Sequence, residues 1–141
     1  MEDELHRSTR QDGRQAVIVL DASALLVLLL KESGHEQVAA HLGSAIISTV
    51  NLSEVLARLT KNGIEPAEGS VLVSELGLGI IAFDERHAIV AAGLREKGRL
   101  RGLSFADCAC MALALDQALP VLTADRIWKS AGAGIAINFV R

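Results

Sequence analysis

The sequence predicts an α/β protein in which helices cover both faces of a mainly parallel central sheet of about five strands. Two observations support this prediction: short apolar, β-branched runs alternate with helical segments, and half of the residues are hydrophobic. Such alternation is typical of β–α–β units that build a three-layer α/β/α sandwich with right-handed crossovers. The 141 residues suit a single domain with one core of ordinary size.

The first elements follow a polar leader. Residues 1–15 lack apolar periodicity and are predicted to be a disordered extension, so that the domain spans 16–141. The run 17–20 is apolar and β-branched, as expected of a buried parallel strand. Residues 22–31 then predict a strongly apolar helix, and Ser33-Gly34 separate it from a second, amphipathic helix that carries Val38 and Leu42.

The remaining elements repeat this alternation. Further strands are predicted at 45–48, 79–83, 120–123 and 136–140. Further helices are predicted at about 52–62, from Pro66 toward the glycines at 77 and 79, at 87–97 and at 104–118. Asn62-Gly63 suit a left-handed helix end, and Pro66 suits a first helical turn.

Charge and cysteine content exclude several classes of protein. With 14 Lys and Arg against 17 Asp and Glu, the net charge is −3, which is not that of a polybasic nucleic-acid binder. Cys108 and Cys110 lie two residues apart on one predicted helix and are expected to be free and buried. Asp21 interrupts the apolar run 16–30, which is shorter than the ~18 to 20 residues of a membrane span. A cytoplasmic protein without a membrane partner is therefore expected.

Four acids follow predicted strands or open predicted helices: Asp21, Glu54, Asp107 and Asp125. Ligands of open α/β sheets bind beyond the carboxyl ends of the strands, so acids placed there are expected to converge. Neighbouring carboxylates repel one another unless a divalent cation offsets their charge. Because the four histidines show no ligand spacing, an all-carboxylate site favours Mg²⁺ or Mn²⁺ over Zn²⁺. The hydroxyls of Ser23 and Thr123 flank the outer acids and can hold a carboxylate or a water.

Each acid also has a structural interpretation as a helix cap. Asp21 lies between a strand and a helix, where an Asp N-cap stabilises the helix by about 1 kcal/mol. The segments 51–54 and 104–107 resemble capping boxes, in which the acid at the third helical position bonds back to the cap. Asp125 can cap the segment before Trp128. Caps scatter independently, whereas these four acids all fall at one predicted sheet edge, and that coincidence favours a site.

Four segments in this order resemble a known family: VIVLDASALL at 17–26, NLSEV at 51–55, LSFAD at 103–107 and LTADR at 122–126. Together they resemble PIN-domain ribonucleases, specifically the VapC toxins of bacterial toxin–antitoxin pairs, over residues 17–140. The segment FDERHA at 83–88 is also similar to one that these toxins carry between their second and third acids.

The resemblance implies a PIN-like fold and a Mg²⁺- or Mn²⁺-dependent endoribonuclease that leaves a 3′-hydroxyl and a 5′-phosphate on its RNA products. It implies that the metal-binding acids are Asp21, Glu54, Asp107 and Asp125, with Thr123 as the nearby hydroxyl. It also implies a VapB-type antitoxin whose tail places an arginine among the acids, and a homodimer within a larger toxin–antitoxin assembly.

Several alternatives stay open at the level of sequence. A local basic stretch is either an RNA phosphate contact or a solvated loop, and it consists of Arg95, Lys97, Arg99 and Arg101. The chain is alternatively a non-catalytic PIN-like module that binds RNA or a protein. A phosphatase or a phospho-acceptor receiver domain is a third class, although Ser23 stands where a phosphatase would need the second Asp of a D-x-D pair.

Overall fold

Strands and helices alternate along the chain in a computed structural model that describes residues 15–98, 101–130 and 134–140. The strands are β1 (Ile18–Leu20), β2 (Ala45–Ser48), β3 (Gly79–Ile81), β4 (Val121–Thr123) and β5 (Ile137–Phe139). The helices are α1 (Ala22–Leu29), α2 (His35–Ala39), α3 (Thr49–Thr60), α4 (Pro66–Ser74), α5 (Glu85–Gly98) and α6 (Phe105–Gln117). Two 3₁₀ turns cover Leu42–Ser44 and Arg126–Ser130. The predicted extension at 1–15 lies outside the described residues except for Gln15.

All five strands form one parallel sheet in the order β3-β2-β1-β4-β5, which confirms the predicted fold class. The chain builds outward from β1 to β2 and β3, then crosses to the other side of β1 for β4 and β5. The switch point therefore lies between β1 and β4, where open α/β sheets bind their ligands. This order also differs from the flavodoxin-like order 2-1-3-4-5 of receiver domains, so the topology argues against the receiver alternative.

Successive strand residues face two separate cores. Ile18 and Leu20 of β1 pack with α1, α2, α3 and α4 on one face of the sheet. Val19, between them, packs with α5, α6 and the buried Trp128 on the other face. This period of two explains why the strand residues are apolar without alternation, since both faces of a parallel sheet are covered.

Three predicted boundaries were wrong by a few residues. Helix α3 begins at Thr49 rather than Leu52, because Ser48 at the end of β2 caps it by accepting a hydrogen bond from Val50 N at 3.2 Å. Asn51 is therefore inside the first turn, and the predicted capping box at 51–54 does not form. Strand β3 ends at Ile81, since Phe83 N donates to the Thr49 hydroxyl instead of to a strand. Helix α5 begins at Glu85, two residues earlier than predicted.

Other predictions about local structure are confirmed. Gly63, after α3, has a positive φ of 85°, the left-handed conformation that favours glycine. Cys108 and Cys110 are free and buried in α6. In the described part of the chain, no helix combines the length and the apolar character needed to cross a membrane.

Candidate functional site

Asp21 immediately follows β1 at the switch point of the sheet, and it is only 5% exposed. It is the N-cap of α1, because its Oδ1 accepts a hydrogen bond from Ala24 N at 2.9 Å. The same oxygen accepts from the Ser23 hydroxyl at 2.7 Å. The predicted capping role is therefore confirmed, but the cap is also a carboxylate buried at the ligand-binding edge of the sheet.

Thr123 ends β4 and holds the other oxygen of Asp21. The parallel register pairs Leu20 with Leu122, so the next residues of the two strands, Asp21 and Thr123, lie side by side. The buried Thr123 hydroxyl donates to Asp21 Oδ2, and it accepts from Asp125 N at 3.0 Å. This hydroxyl links the first predicted site acid to the backbone of the last one.

Ser23 completes this network from α1. Its hydroxyl lies 3.2 Å from the Thr123 hydroxyl and accepts from Ala124 N at 2.9 Å. Both hydroxyls that the sequence places beside the outer acids therefore orient Asp21. With both oxygens bonded, the Asp21 carboxylate is fixed before any ligand binds.

Glu54 comes from the second turn of α3 and Asp107 from the first turn of α6, and these helices meet beyond the carboxyl ends of the strands. The Asn51 side chain joins these turns, since its Nδ2 donates to Glu54 Oε1 at 3.0 Å and to the Ala106 carbonyl at 3.1 Å. Asp107 forms the predicted capping box with Ser104: its Oδ2 accepts from Ser104 N at 2.9 Å. Its own N–H donates to the Ser104 hydroxyl at 3.1 Å.

Burial and mutual repulsion raise the proton affinity of these groups. Burial raises the pKa of Asp21 from 3.8 to about 6, against the hydrogen bonds from Thr123, Ser23 and Ala24, and the charge of Asp107 raises it further. Burial also raises the pKa of Glu54, to which the charge of Asp107 again adds. The pKa of the Cys110 thiol is raised by burial and then by Asp21, Asp107 and Glu54. The charge of Asp107 thus acts on Asp21, on Glu54 and on one buried thiol.

Asp125 lies at the mouth of the same region. Its Oδ1 accepts from Ile127 N at 3.1 Å, so it caps the 3₁₀ turn as predicted. Glu54 and Asp125 both line a cleft of about 540 Å³. The cleft also contains Ser23, the apolar side chains of Leu26 and Leu30, and two arginines.

Those arginines, Arg58 and Arg126, are functional candidates that the sequence reasoning missed. Arg58 lies one helical turn after Glu54, and Arg126 directly follows Asp125. The i, i+4 spacing from a site acid on a predicted helix was the available signal. The basic stretch near residue 100 is a stronger local signal, because its charges are close together in sequence whereas these two arginines are far apart.

The basic stretch lies elsewhere. Arg95 stacks over the Phe105 ring at 5.9 Å, whereas Lys97 and Arg101 line a different cavity of about 650 Å³ between α5 and α6. Arg99 lies outside the described residues. The acidic cleft and this larger apolar cavity share no lining residue.

The structure gathers the site acids without closing them into a ligand shell. Within residues 15–98, 101–130 and 134–140, no three His, Cys, Asp or Glu side chains are arranged to hold a metal ion. Each of the four carboxylates accepts a hydrogen bond from a neighbouring N–H or hydroxyl. Their role as metal ligands stays a prediction.

A match over most of the sequence identifies the family of this chain. Residues 18–134 match the model of the PIN domain. The chain belongs to the PIN-domain family. The match contains all four site acids and Thr123, so the resemblance seen in the short segments extends over most of this PIN domain. Among curated proteins, none matches the chain significantly.

Solved structures of similar fold include a toxin–antitoxin complex and a toxin. The DNA-bound VapBC of Salmonella typhimurium superposes with a TM-score of 0.71 at 19% identity, over 90% of this PIN domain chain and 100% of that one. A toxin–antitoxin complex from Klebsiella pneumoniae gives 0.69 at 19% identity, over 86% and 95% of the two chains. VapC20 of Mycobacterium tuberculosis, a sarcin–ricin loop cleaving toxin, gives 0.67 at 15% identity, over 82% and 95%. At these identities the likeness establishes a shared fold.

Proposed function

We propose that this PIN domain is the toxin of a toxin–antitoxin pair and that it hydrolyses RNA with the help of Mg²⁺ or Mn²⁺. The observation that carries the proposal is Asp21, a buried carboxylate fixed by Ser23 and Thr123 at the switch point of the sheet. The charge of Asp107 acts on both Asp21 and Glu54, so negative charge is concentrated where the fold binds ligands. The similar VapC20 cleaves the sarcin–ricin loop, which is RNA.

The chemistry of the donor set fits a hard divalent cation. Asp21, Glu54, Asp107 and Asp125 offer only oxygen ligands, which Mg²⁺ and Mn²⁺ prefer. A buried carboxylate with a raised pKa, such as that of Asp21, is unfavourable alone and becomes favourable beside a cation. A bound ion of this kind supplies Lewis acidity toward a phosphodiester oxygen and makes a water molecule easier to ionise. Asp21, Glu54, Asp107 and Asp125 would hold this ion, and Glu54 would do so while it keeps its hydrogen bond from Asn51.

The chain's own residues bind and orient the other partners of the reaction. Asp21 is held in place by two hydroxyls, so it does not have to reorganise. Arg58 and Arg126 line the cleft and offer cations to the phosphates that flank the cleaved bond. The carboxylates alone would repel RNA, and these arginines offset that repulsion at the cleft itself.

The same cleft suits a VapB-type antitoxin. Leu26 and Leu30 give it an apolar side, and Glu54 and Asp125 give it an acidic side. A guanidinium from the antitoxin would form a bidentate pair with a carboxylate, through two parallel hydrogen bonds, and would take the place of the metal. A homodimer within a larger toxin–antitoxin assembly is part of this proposal, and the similar structure from Klebsiella pneumoniae is a toxin–antitoxin complex.

Cleavage of RNA by the purified chain tests the proposal. We expect a structured RNA to be cut with Mg²⁺ or Mn²⁺ and to stay intact with EDTA. Asp21→Asn and Asp107→Asn should abolish cleavage while circular dichroism shows the wild-type fold. Full activity in both variants, or cleavage that is indifferent to EDTA, would reject the assignment.

One observation favours a second candidate, a non-catalytic module that binds RNA or a protein. All four acids are engaged in bonds to their own or neighbouring elements, and the described residues hold no finished metal cluster. RNA binding that persists in EDTA, without cleavage when Mn²⁺ is added, would identify this function.

A further inference from the structure

Asn51 is a buried polar residue whose presence the core does not explain. It lies in the first turn of α3 and is 1% exposed. Its Nδ2 donates to Glu54 Oε1 at 3.0 Å and to the Ala106 carbonyl at 3.1 Å. One amide nitrogen thus bonds the carboxylate of a site acid and the backbone of the residue that precedes Asp107.

The orientation of this amide follows from its neighbours. A carboxylate oxygen and a backbone carbonyl both accept hydrogen bonds, so only the NH₂ end of Asn51 can face them. Its Oδ1 is then directed elsewhere, buried and without a hydrogen-bond partner among the described residues. An unpaired buried carbonyl is unfavourable, and leucine, which has the same number of side-chain heavy atoms, would avoid it.

Because Asn51 leaves its own buried Oδ1 unpaired, its presence indicates that its two N–H groups are required. We propose that Asn51 is a positioning residue of the nuclease site: its two hydrogen bonds fix Glu54 relative to the first turn of α6 and so set the separation of Glu54 from Asp107. The inference rests on the proposed function, because it assigns these two acids to one ligand set.

Separate hydrogen bonds hold Asp21 on one side of the site and Glu54 and Asp107 on the other. Asp21 is fixed by hydroxyls from α1 and β4, on the side of the switch point. Glu54 and Asp107 come from helices that belong to opposite faces of the sheet, and no strand pairing fixes one relative to the other. The Asn51 amide supplies a direct bond between those two helices at the level of the acids.

A purely structural tether is the competing interpretation, and matched variants separate the two. Asn51→Leu removes both hydrogen bonds and keeps the number of side-chain heavy atoms. Asn51→Ala removes them with a small cavity and replaces the leucine variant if the larger leucine side chain is not accommodated. Val55→Ala, in the same helix, truncates a fully buried core side chain on the sheet side and serves as the control for lost stability. All are made in the full chain.

Mn²⁺ affinity from electron paramagnetic resonance, kcat and KM on a structured RNA, and the thermal midpoint are measured for each variant. We expect the Asn51 variants to bind Mn²⁺ roughly 10- to 100-fold more weakly and to lose a similar factor in kcat, with KM for RNA little changed. Val55→Ala should have a lower thermal midpoint with wild-type Mn²⁺ affinity and kcat.

Two results overturn the inference in distinguishable ways. If the Asn51 variants keep wild-type Mn²⁺ affinity and kcat, or lose no more than Val55→Ala at an equal thermal midpoint, Asn51 is only a structural tether and the nuclease assignment survives. If the wild-type chain itself neither binds Mn²⁺ nor cleaves RNA, the proposed function fails, and the positioning role fails with it.

Discussion

The Thr123 hydroxyl donates to Asp21 Oδ2 across the pair of strands β1 and β4, joining residues 102 positions apart in the chain. The bond forms because both residues directly follow apolar strand residues that are in register. It holds a carboxylate that is 5% exposed at the switch point of the sheet. Burying a charge there costs stability, which is expected of a binding site rather than of a structural cap.

Asp21→Asn is expected to stabilise the fold at neutral pH in EDTA. Burial raises the pKa of Asp21 to about 6, so the folded protein binds this proton more tightly than the unfolded chain does. Relative to an uncharged residue, wild-type stability therefore falls as the pH rises from about 4 to about 6 and stays low above it. The full effect is on the order of 3 kcal/mol, of which Asn recovers part because its NH₂ group meets a donor hydroxyl.

Urea unfolding of both proteins across this pH range measures the effect. The variant should be the more stable protein above about pH 6, and it should lose this advantage as the pH falls toward 4. A wild-type chain that is more stable than the variant throughout would show that Asp21 is favourably charged in the fold.

Ser104→Ala and Asp107→Asn separate capping from catalysis, because they act on the two sides of one capping box. Ser104→Ala removes the hydroxyl that accepts from Asp107 N and should cost about 1 kcal/mol of stability. Asp107→Asn keeps an oxygen that can accept from Ser104 N, so it should cost no more. Only the second removes a site charge, and we expect it alone to lower RNA cleavage by roughly 100-fold or more.

Unfolding free energies and cleavage rates of the two variants provide the comparison. Equal losses of activity in the two variants would mean that Asp107 acts only as part of the capping box at the N-terminus of α6.

The sequence was sufficient to predict the layers and the placement of the acids. Runs such as 18–20 and 45–47 are apolar at every position because both faces of the parallel sheet are covered, and an acid or a hydroxyl follows where the strand leaves the core. The order of the strands could not be read from these runs, since pairing partners leave no local signal.

Contacts between distant segments were beyond prediction. Ser48 and Asn51 are both good caps by residue type, and only the end of β2 decides that Ser48 caps α3. The buried bond from Asn51 to Ala106 joins residues 55 positions apart. Arg58 and Arg126 come together in one cleft only after folding.

Arg58→Gln is expected to weaken RNA binding and to lower its dependence on salt. Arg58 is exposed in the acidic cleft, so its loss should remove about one phosphate contact and reduce the slope of log K against log salt by about 0.7 to 1. Lys97→Gln removes the same charge beside the other cavity and should leave the slope unchanged. Fluorescence anisotropy in an Asp21→Asn background, where RNA is not cut, measures both, and equal slopes for the two variants would assign RNA binding to overall charge.

Asp116→Ala is expected to destabilise the fold without affecting cleavage. Asp116 Oδ2 lies 3.3 Å from Nε2 of His87, which is 2% exposed, and its Oδ1 lies 3.5 Å from an Arg86 nitrogen. These contacts join the first turn of α5 to the last turn of α6, the opposite end from Asp107. Loss of a buried partner should cost about 1 to 3 kcal/mol.

Glu75→Ala, at the exposed end of α4, removes an equal charge and is the control for that variant, with an expected change below about 0.5 kcal/mol. Chemical denaturation gives both values. A large loss of cleavage in folded Asp116→Ala would contradict the assignment of this cluster to stability alone.

Mn²⁺ binding to the isolated chain, measured by the loss of the free-ion paramagnetic resonance signal, tests the central claim most directly. The claim is that carboxylates from separate segments bind a divalent cation, Mg²⁺ or Mn²⁺, at the switch point of the sheet. Wild type should bind Mn²⁺, and Asp21→Asn should bind it at least about tenfold more weakly, while Ser104→Ala binds as wild type does. Equal Mn²⁺ affinity of wild type and Asp21→Asn, or no binding by either, would contradict it.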